Sequence, residues 1–260
     1  MIIDANVHIT ATGEWFGSSL RASVHELIRQ MDEASVDKAV VIPLPGVISN
    51  EENLTICASY ADRLISGSTF NPAQYSNPDS SYAAFHSMFN QAPFPVVKFH
   101  NRFGNYPADD DRFFAALHAN ASLESPLVVM VCSYLNGSHT GHFIDAAAFF
   151  FNLAKQFPTT NFIVAHGGGF DLLRVIETCK ALPNIYFDLS YTICRYQETA
   201  IDAEIRWLCS KYDRRILWGS DFPEVSPVEA LKRINLLTEN LHFDKRENIC
   251  GNNIKQLYAI

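Results

Sequence analysis

The chain lacks the features that mark nucleic-acid-binding and membrane proteins. Its 20 Lys and Arg residues are outnumbered by 28 Asp and Glu residues and do not cluster, whereas phosphate binding requires a basic patch. No apolar run approaches the roughly 20 residues of a membrane span, and the first residues do not form a basic and then apolar secretory signal. We therefore expect a cytoplasmic protein without a nucleic acid or membrane partner.

Paired cysteines are also missing. The six cysteines are scattered without CxxC spacing, which argues against a zinc finger or a dithiol redox motif. Three of them, at positions 57, 179 and 209, lie in helix-like patterns. This distribution predicts buried, reduced thiols.

The composition provides for a sizeable core, since apolar residues make up 48% of the chain and no low-complexity tract or linker divides it. A length of 260 residues fits one domain spanning residues 1–260, because a single (β/α)8 barrel has about 250 residues. The sequence leaves open whether copies of the chain form a homo-oligomer.

Short β-like runs, several of them rich in β-branched residues, alternate with helical patterns along the chain. These runs span residues 2–8, 37–42, 65–70, 95–100, 126–132, 161–166, 184–189 and 215–219. Eight alternating units predict a parallel α/β fold closed as a TIM barrel. An open doubly wound sheet is the competing fold, but Asn6-Val7-His8 stands where its Gly-rich phosphate turn belongs.

Polar side chains stand at the ends of several predicted strands. The residues at the ends of the first, fourth, sixth and eighth strands are His8, His100, His166 and Asp221. In a closed barrel these strand ends share one rim, where the active sites of such barrels lie. Imidazole and carboxylate groups at one rim indicate a metal site or general acid–base catalysis.

Five segments carry a resemblance to a known family. They are Asp4-x-Asn6-x-His8, Val97-Lys98-Phe99-His100, Ala165-His166-Gly167-Gly168-Gly169, Gly219-Ser220-Asp221-Phe222-Pro223 and Asn252-Asn253-Ile254-Lys255-Gln256-Leu257-Tyr258. Together they resemble the amidohydrolase superfamily, and within it the amidohydrolase-related branch that includes the aminocarboxymuconate-semialdehyde decarboxylase-like enzymes. The resemblance implies a (β/α)8 barrel with one divalent metal ion, often zinc, at its rim.

The resemblance also implies roles for individual residues. His8 and Asp221 match metal ligands of the family, and Asn6 occupies the place of a further ligand. His166 matches a residue that acts as an acid or base in one branch and as a ligand in others. We therefore expect Asp221 and His166 to be catalytic, and the zinc ligands to come from His8, Asp221, Asn6 and His166.

Two positions depart from the family's pattern. Asn6 replaces a histidine of the first strand, and the fifth strand ends in Cys132 instead of a histidine ligand. The Cys132 thiolate, or His139 or His142 from the following loop, could complete a site. Because zinc sites need three or four good protein donors, the sequence leaves metal dependence open.

Further residues near the strand ends are candidates for contact with a small-molecule substrate. They are His100, Lys98, Trp15 and Arg102. A guanidinium such as that of Arg102 could pair with a substrate carboxylate through two hydrogen bonds.

Three functions are compatible with these residues. The leading hypothesis is a metal-dependent hydrolase of a small, carboxylated or cyclic molecule, in which a metal activates water and Asp221 accepts the proton. The second is a non-oxidative decarboxylase, a lyase built on the same barrel. The third is a metal-free relative, either a lactonase-type hydrolase or a binding protein without catalytic activity.

Overall fold

The computed structural model describes residues 1–133 and 145–260. Every predicted β-like run contains a strand, and the third run is split in two. The strands are β1 Ile3–Val7, β2 Lys38–Val41, β3 Leu64–Ser66, β4 Ser68–Thr69, β5 Val96–Phe99, β6 Val128–Cys132, β7 Phe162–Ala165, β8 Ile185–Asp188 and β9 Ile216–Leu217.

Helices follow the strands in alternation, as the sequence predicts. They are α1 Val24–Ala34, α2 Asn50–Ala58, α3 Pro78–Phe89, α4 Asn101–Gly104, α5 Asp111–Ala121, α6 Ala146–Gln156, α7 Leu172–Cys179, α8 Thr192–Arg195, α9 Ala200–Lys211, α10 Pro227–Leu237, α11 Phe243–Glu247 and α12 Asn253–Tyr258. Ser23 and Ser226 cap α1 and α10 by accepting hydrogen bonds from the backbone N–H groups of Glu26 and Glu229. Among the described residues, no helix is long and apolar enough to cross a membrane.

All strand pairs are parallel, in one sheet of three strands, β1-β2-β3, and one of six, β4 to β9 in order. Gly67 separates β3 from β4, and a side chain at this position would collide with Ile42. Backbone hydrogen bonds also join the two ends of the chain, from Ala5 to Trp218 at 3.0 Å and from His8 to Phe222 at 2.8 Å. The first and last strands are therefore neighbours, as the predicted (β/α)8 barrel requires and an open doubly wound sheet does not.

The barrel interior changes from apolar to polar along the strands. Alternate strand residues such as Val96, Val128 and Ile163 form a buried apolar cluster. Two residues further along β5, on the same face by the period of a strand, the buried side chain is Lys98. The polar site therefore sits on an apolar floor, at the end of the barrel where the strands finish.

Candidate active site

Asn6 and His8, near the N-terminus, lie beside Asp221, which is near the C-terminus. The backbone N–H of Asp221 donates to the Asn6 carbonyl at 2.9 Å, which fixes the segment after β9 against β1. Asn6 Nδ2 then donates to Asp221 Oδ1 at 3.2 Å, and His8 Nε2 lies 3.4 Å from the same oxygen. The predicted proximity of His8 and Asp221 is therefore found.

Asn6 connects this pair to the end of β8. Its Nδ2 also donates to Ser190 Oγ at 3.0 Å and lies 3.5 Å from Asp188 Oδ2. Ser190 Oγ donates to Asp188 Oδ2 at 2.5 Å. On the other side of the amide, Asn6 Oδ1 accepts from Lys98 Nζ at 3.1 Å. Both ends of the Asn6 amide are thus occupied by protein groups.

Asp4 holds the loop that carries Asp221 by accepting hydrogen bonds from backbone N–H groups. Its Oδ1 accepts from the backbone N–H of Ser220 at 2.9 Å and from that of Asn6 at 3.3 Å. Asp4 is completely buried, and this burial raises the pKa of its carboxyl to about 7. It positions the backbone beside the site and does not line the pocket itself.

His166 is presented by a tight turn at the end of β7. Its backbone has a φ of 63°, and Gly167, Gly168 and Gly169 also have positive φ values. Consecutive positive φ values are accessible to glycine at little cost, so the glycine run is a turn, as the sequence predicts. His166 Nδ1 lies 3.0 Å from the Ser190 carbonyl, which can only accept, and this bond orients the ring.

The buried thiol of Cys132 links two of the histidines. Cys132 ends β6, where the family's pattern has a histidine, and its side chain interacts with His100 and His166 and acts to raise the pKa of both. His100 also caps α4 by accepting from the backbone N–H of Phe103, and burial lowers the pKa of His100 to about 4. His139 and His142, the other candidates for this position, lie outside the described residues.

Six of the eight predicted site residues line one pocket of ≈ 180 Å³. The lining comprises His8, Trp15, Phe16, Leu44, His100, Arg102, Phe103, His166, Tyr191, Asp221 and Glu224. Two predicted residues are absent from this lining. Asn6 is completely buried behind Asp221, and Lys98 is completely buried below the pocket. The geometry therefore assigns Lys98 to the interior of the site and gives no support to its predicted substrate contact.

Aromatic rings form the outer wall of the pocket. Trp15 stacks near His8 with ring centroids 6.1 Å apart, and its Nε1 donates to Glu224 Oε1 at 2.6 Å. Phe16 contacts Trp15 edge-on and stacks on Phe103 at 5.4 Å. Phe16 and Phe103 remain 56% and 40% exposed, so their rings are accessible at the rim.

The charges in the site shift the pKa values of Asp221 and His166 in opposite directions. Burial alone would raise the pKa of Asp221, but the charges of His166 and Lys98 hold it well below its usual range. Burial would lower the pKa of His166, yet the charge of Asp221 and the contact with Cys132 raise it. The site therefore contains an ionised carboxylate beside an imidazole whose pKa is raised.

Two residues that line the pocket, Tyr191 and Glu224, are not singled out by the sequence analysis. Glu224 carries no sequence signal, because its role depends on the distant Trp15 side chain. Asp188 and Ser190, at the end of the seventh predicted strand, support the pocket through hydrogen bonds behind it.

The arrangement of donors does not fit the zinc ion that the family implies. Asn6 Oδ1 accepts from Lys98, and His8 Nε2 lies 3.4 Å from the same ammonium. Zinc binds nitrogen and oxygen donors at about 2.0–2.2 Å, and an ammonium at these atoms occupies the space and repels a cation. Within residues 1–133 and 145–260, no group of three or more His, Cys, Asp and Glu side chains is placed to hold a metal.

The parallel barrel with its polar rim agrees with the fold that the resemblance to amidohydrolases implies. The family model for amidohydrolases matches residues 3–260, so the chain belongs to the amidohydrolase family. No curated protein matches the chain. The assignment to the decarboxylase-like branch stays a prediction.

Solved structures share the fold over the whole chain. An uncharacterized TIM-barrel protein from Bordetella bronchiseptica has a TM-score of 0.78 at 16% identity, covering 99% of this chain and 98% of that one. A probable 2-pyrone-4,6-dicarboxylic acid hydrolase from Acinetobacter baumannii, with citric acid bound, has a TM-score of 0.65 at 15% identity, covering 100% and 99%. IDCase from Metarhizium anisopliae has a TM-score of 0.61 at 14% identity, covering 100% and 97%. At these identities the comparisons establish the fold alone.

Proposed function

We propose that the protein is a hydrolase of a small carboxylated molecule, in which Asp221 accepts a proton from water and His166 protonates the leaving group. The observation that carries this proposal is that Asp221 and His166 line one pocket together with the cation Arg102. A pocket of ≈ 180 Å³ suits a small molecule.

The two proton-transfer roles follow from the environments of the two side chains. Asp221 is ionised at neutral pH, so it can take a proton from a water molecule that attacks the substrate's carbonyl carbon. The charge of Asp221 raises the pKa of His166, so its imidazole is suited to donate a proton to the oxygen or nitrogen that leaves. Titratable groups whose environments drive their pKa values apart are typical of a catalytic acid and base.

Arg102 and the aromatic wall define the class of substrate. The guanidinium at the pocket matches a carboxylate through two parallel hydrogen bonds. Trp15 and Phe103 present flat apolar faces that suit a planar ring, such as a lactone or a cyclic amide. The structurally similar Acinetobacter protein is named as a hydrolase of a dicarboxylic acid and was solved with citric acid bound, which supports a carboxylated substrate here.

A zinc-dependent hydrolase is the second candidate, and membership of the amidohydrolase family favours it. Its zinc ligands would be His8, Asp221, Asn6 and His166. This candidate requires the Lys98 ammonium to leave Asn6 Oδ1 and the neighbourhood of His8 Nε2 before a metal can bind. Decarboxylation on the same barrel remains the alternative reaction.

The test is a screen of carboxylated lactones, cyclic amides and open-chain esters, with the matching carboxylic acids included. Proton release would report hydrolysis of lactones and esters, chromatography of the ring-opened amino acid would report hydrolysis of cyclic amides, and carbon dioxide release would report decarboxylation. Each is measured after chelator treatment and again with added zinc. We expect hydrolysis that does not require zinc. Carbon dioxide release alone would support the lyase, and activity only with zinc would support the second candidate.

A further inference from the structure

Lys98 is a completely buried lysine within the candidate site. β5 places it inside the barrel, where its exposed fraction is 0%. Its Nζ donates to Asn6 Oδ1 at 3.1 Å and lies 3.4 Å from His8 Nε2. Asn6 and His8 are two of the residues that the resemblance assigns to a metal ion, so a protein cation stands at the place where a metal would bind.

The contact between Lys98 and His8 uses the only ring lone pair with which His8 could bind a metal. His8 Nδ1 lies 2.7 Å from the Ile42 carbonyl, which can only accept, so Nδ1 carries a proton. The free lone pair of the ring is therefore on Nε2, and the ammonium of Lys98 can only donate. A metal would need the same lone pair at about 2.0–2.1 Å. Lys98 and a metal ion are thus mutually exclusive at His8.

The ammonium of Lys98 also explains why position 6 is an asparagine and not a histidine. Its Nδ2 donates to Ser190 Oγ and Asp221 Oδ1, which directs Oδ1 towards Lys98. An amide can donate two hydrogen bonds while it accepts others through its oxygen, whereas a neutral imidazole has one donor and one acceptor. The histidine of the family's pattern could not make these contacts, so Asn6 and Lys98 account for each other.

We propose that the Lys98 ammonium replaces the metal ion as the resident cation of this site, holding Asn6 and His8 in place and excluding divalent metals. The inference takes the location of the site from the proposed function but concerns metal binding, which can be measured without a substrate. Lys98 is a positioning residue in this arrangement, since it acts on the substrate only through Asn6 and His8.

The test compares zinc binding by chelator-treated wild type, Asn6→His, Lys98→Met and the Lys98→Met/Asn6→His double variant. Lys155→Met, a change of an exposed lysine on α6, is the matched control. Calorimetric titration with zinc gives the affinity, and the visible absorption of cobalt(II) reports bonds between the metal and the protein. Circular dichroism and thermal unfolding verify that each variant is folded.

We expect wild type, Asn6→His and Lys155→Met to bind zinc weakly and alike. The double variant should bind about one equivalent at least roughly 100-fold more tightly, because the competing cation is gone and an imidazole donor is added. Tight binding by the wild type, or an equal gain from Asn6→His alone, would overturn the proposal, and both measurements stand even where Lys98→Met does not fold. A folded double variant without the gain would overturn it as well. Whether the protein hydrolyses any substrate does not affect these outcomes.

Discussion

Asn6 Nδ2 donates to Asp221 Oδ1 at 3.2 Å, and this hydrogen bond joins the first strand to the segment after the last. The opposite end of the same amide accepts from Lys98 at 3.1 Å. Because an amide is rigid and planar, its two ends move together. Asn6 therefore couples the position of the buried ammonium to that of the carboxylate that we assign as the base.

Replacing this carboxylate by an amide tests its role as the base. In Asp221→Asn the side chain keeps its size and its Oδ1 acceptor for Asn6, but it loses its charge and can no longer take a proton from water. We expect kcat to fall by about 100-fold or more, in the range typical of a lost general base. The midpoint of urea unfolding should change little.

The matched control is Asp244→Asn, which neutralises an exposed carboxylate at the start of α11. It should leave both kcat and stability unchanged. Full activity of Asp221→Asn on a substrate that the wild type hydrolyses would remove Asp221 from the proposed mechanism.

Replacing Arg102, whose guanidinium lines the pocket, tests whether the substrate carries a carboxylate. In Arg102→Met we expect KM to rise by about 10- to 100-fold, the value of one hydrogen-bonded charge pair, while kcat changes little. Arg29→Met on the exposed face of α1 should leave both constants unchanged. A fall in kcat with an unchanged KM would place Arg102 in the chemical step instead of in substrate binding.

The sequence predicts the barrel well because its signals are local and repeated. Strand-like runs separated by helical patterns locate each strand to within a few residues, and only the break at Gly67 is missed. That break depends on the close approach of Ile42, a contact between different strands. The cysteines likewise follow the prediction, since all six are free and buried.

The interior of the site could be predicted only in part. Strand periodicity indicates that Lys98 points into the barrel, but it cannot indicate which atoms the ammonium meets. That depends on the closure that brings Asn6 and His8 beside β5. The Trp15–Glu224 hydrogen bond is similarly invisible in the sequence, because it joins two loops far apart along the chain.

Stability should depend on pH through Glu26, an N-terminal residue of α1. Hydrogen bonds from Arg29 and Gln30 lower the pKa of Glu26 from 4.5 to about 2. A carboxyl with a lowered pKa stabilises the fold above its unfolded pKa and loses this contribution as the pH falls towards its folded pKa. We therefore expect Glu26→Gln to cost about 0.5 kcal/mol of unfolding free energy at pH 7, because the partly exposed pair is screened by solvent.

The same substitution should cost progressively less as the pH falls from 4.5 towards 2. Urea unfolding of wild type and Glu26→Gln at several pH values measures this difference. Glu124→Gln, at an exposed carboxylate outside the helices, supplies the control. A cost for Glu26→Gln that is independent of pH would show that its charge does not contribute.

The turn that presents His166 should depend on packing as well as on glycine's conformational freedom. Gly168 has a φ of 94°, and a Cβ there would lie 2.8 Å from Val175 Cγ2. Gly46 has a φ of 77°, but a Cβ there would meet nothing within 4 Å. The pair therefore separates backbone strain, present in both, from a steric clash with α7, present in one.

We expect Gly46→Ala to cost about 1–2 kcal/mol of unfolding free energy, the usual penalty of a left-handed residue with a side chain. Gly168→Ala should cost about 1–3 kcal/mol more, because the clash adds overpacking to that penalty. It should also lower kcat, since the turn sets the position of the His166 ring beside Ser190. Equal losses of stability in the two variants would mean that Val175 yields to the added methyl group, and that backbone conformation alone maintains the turn.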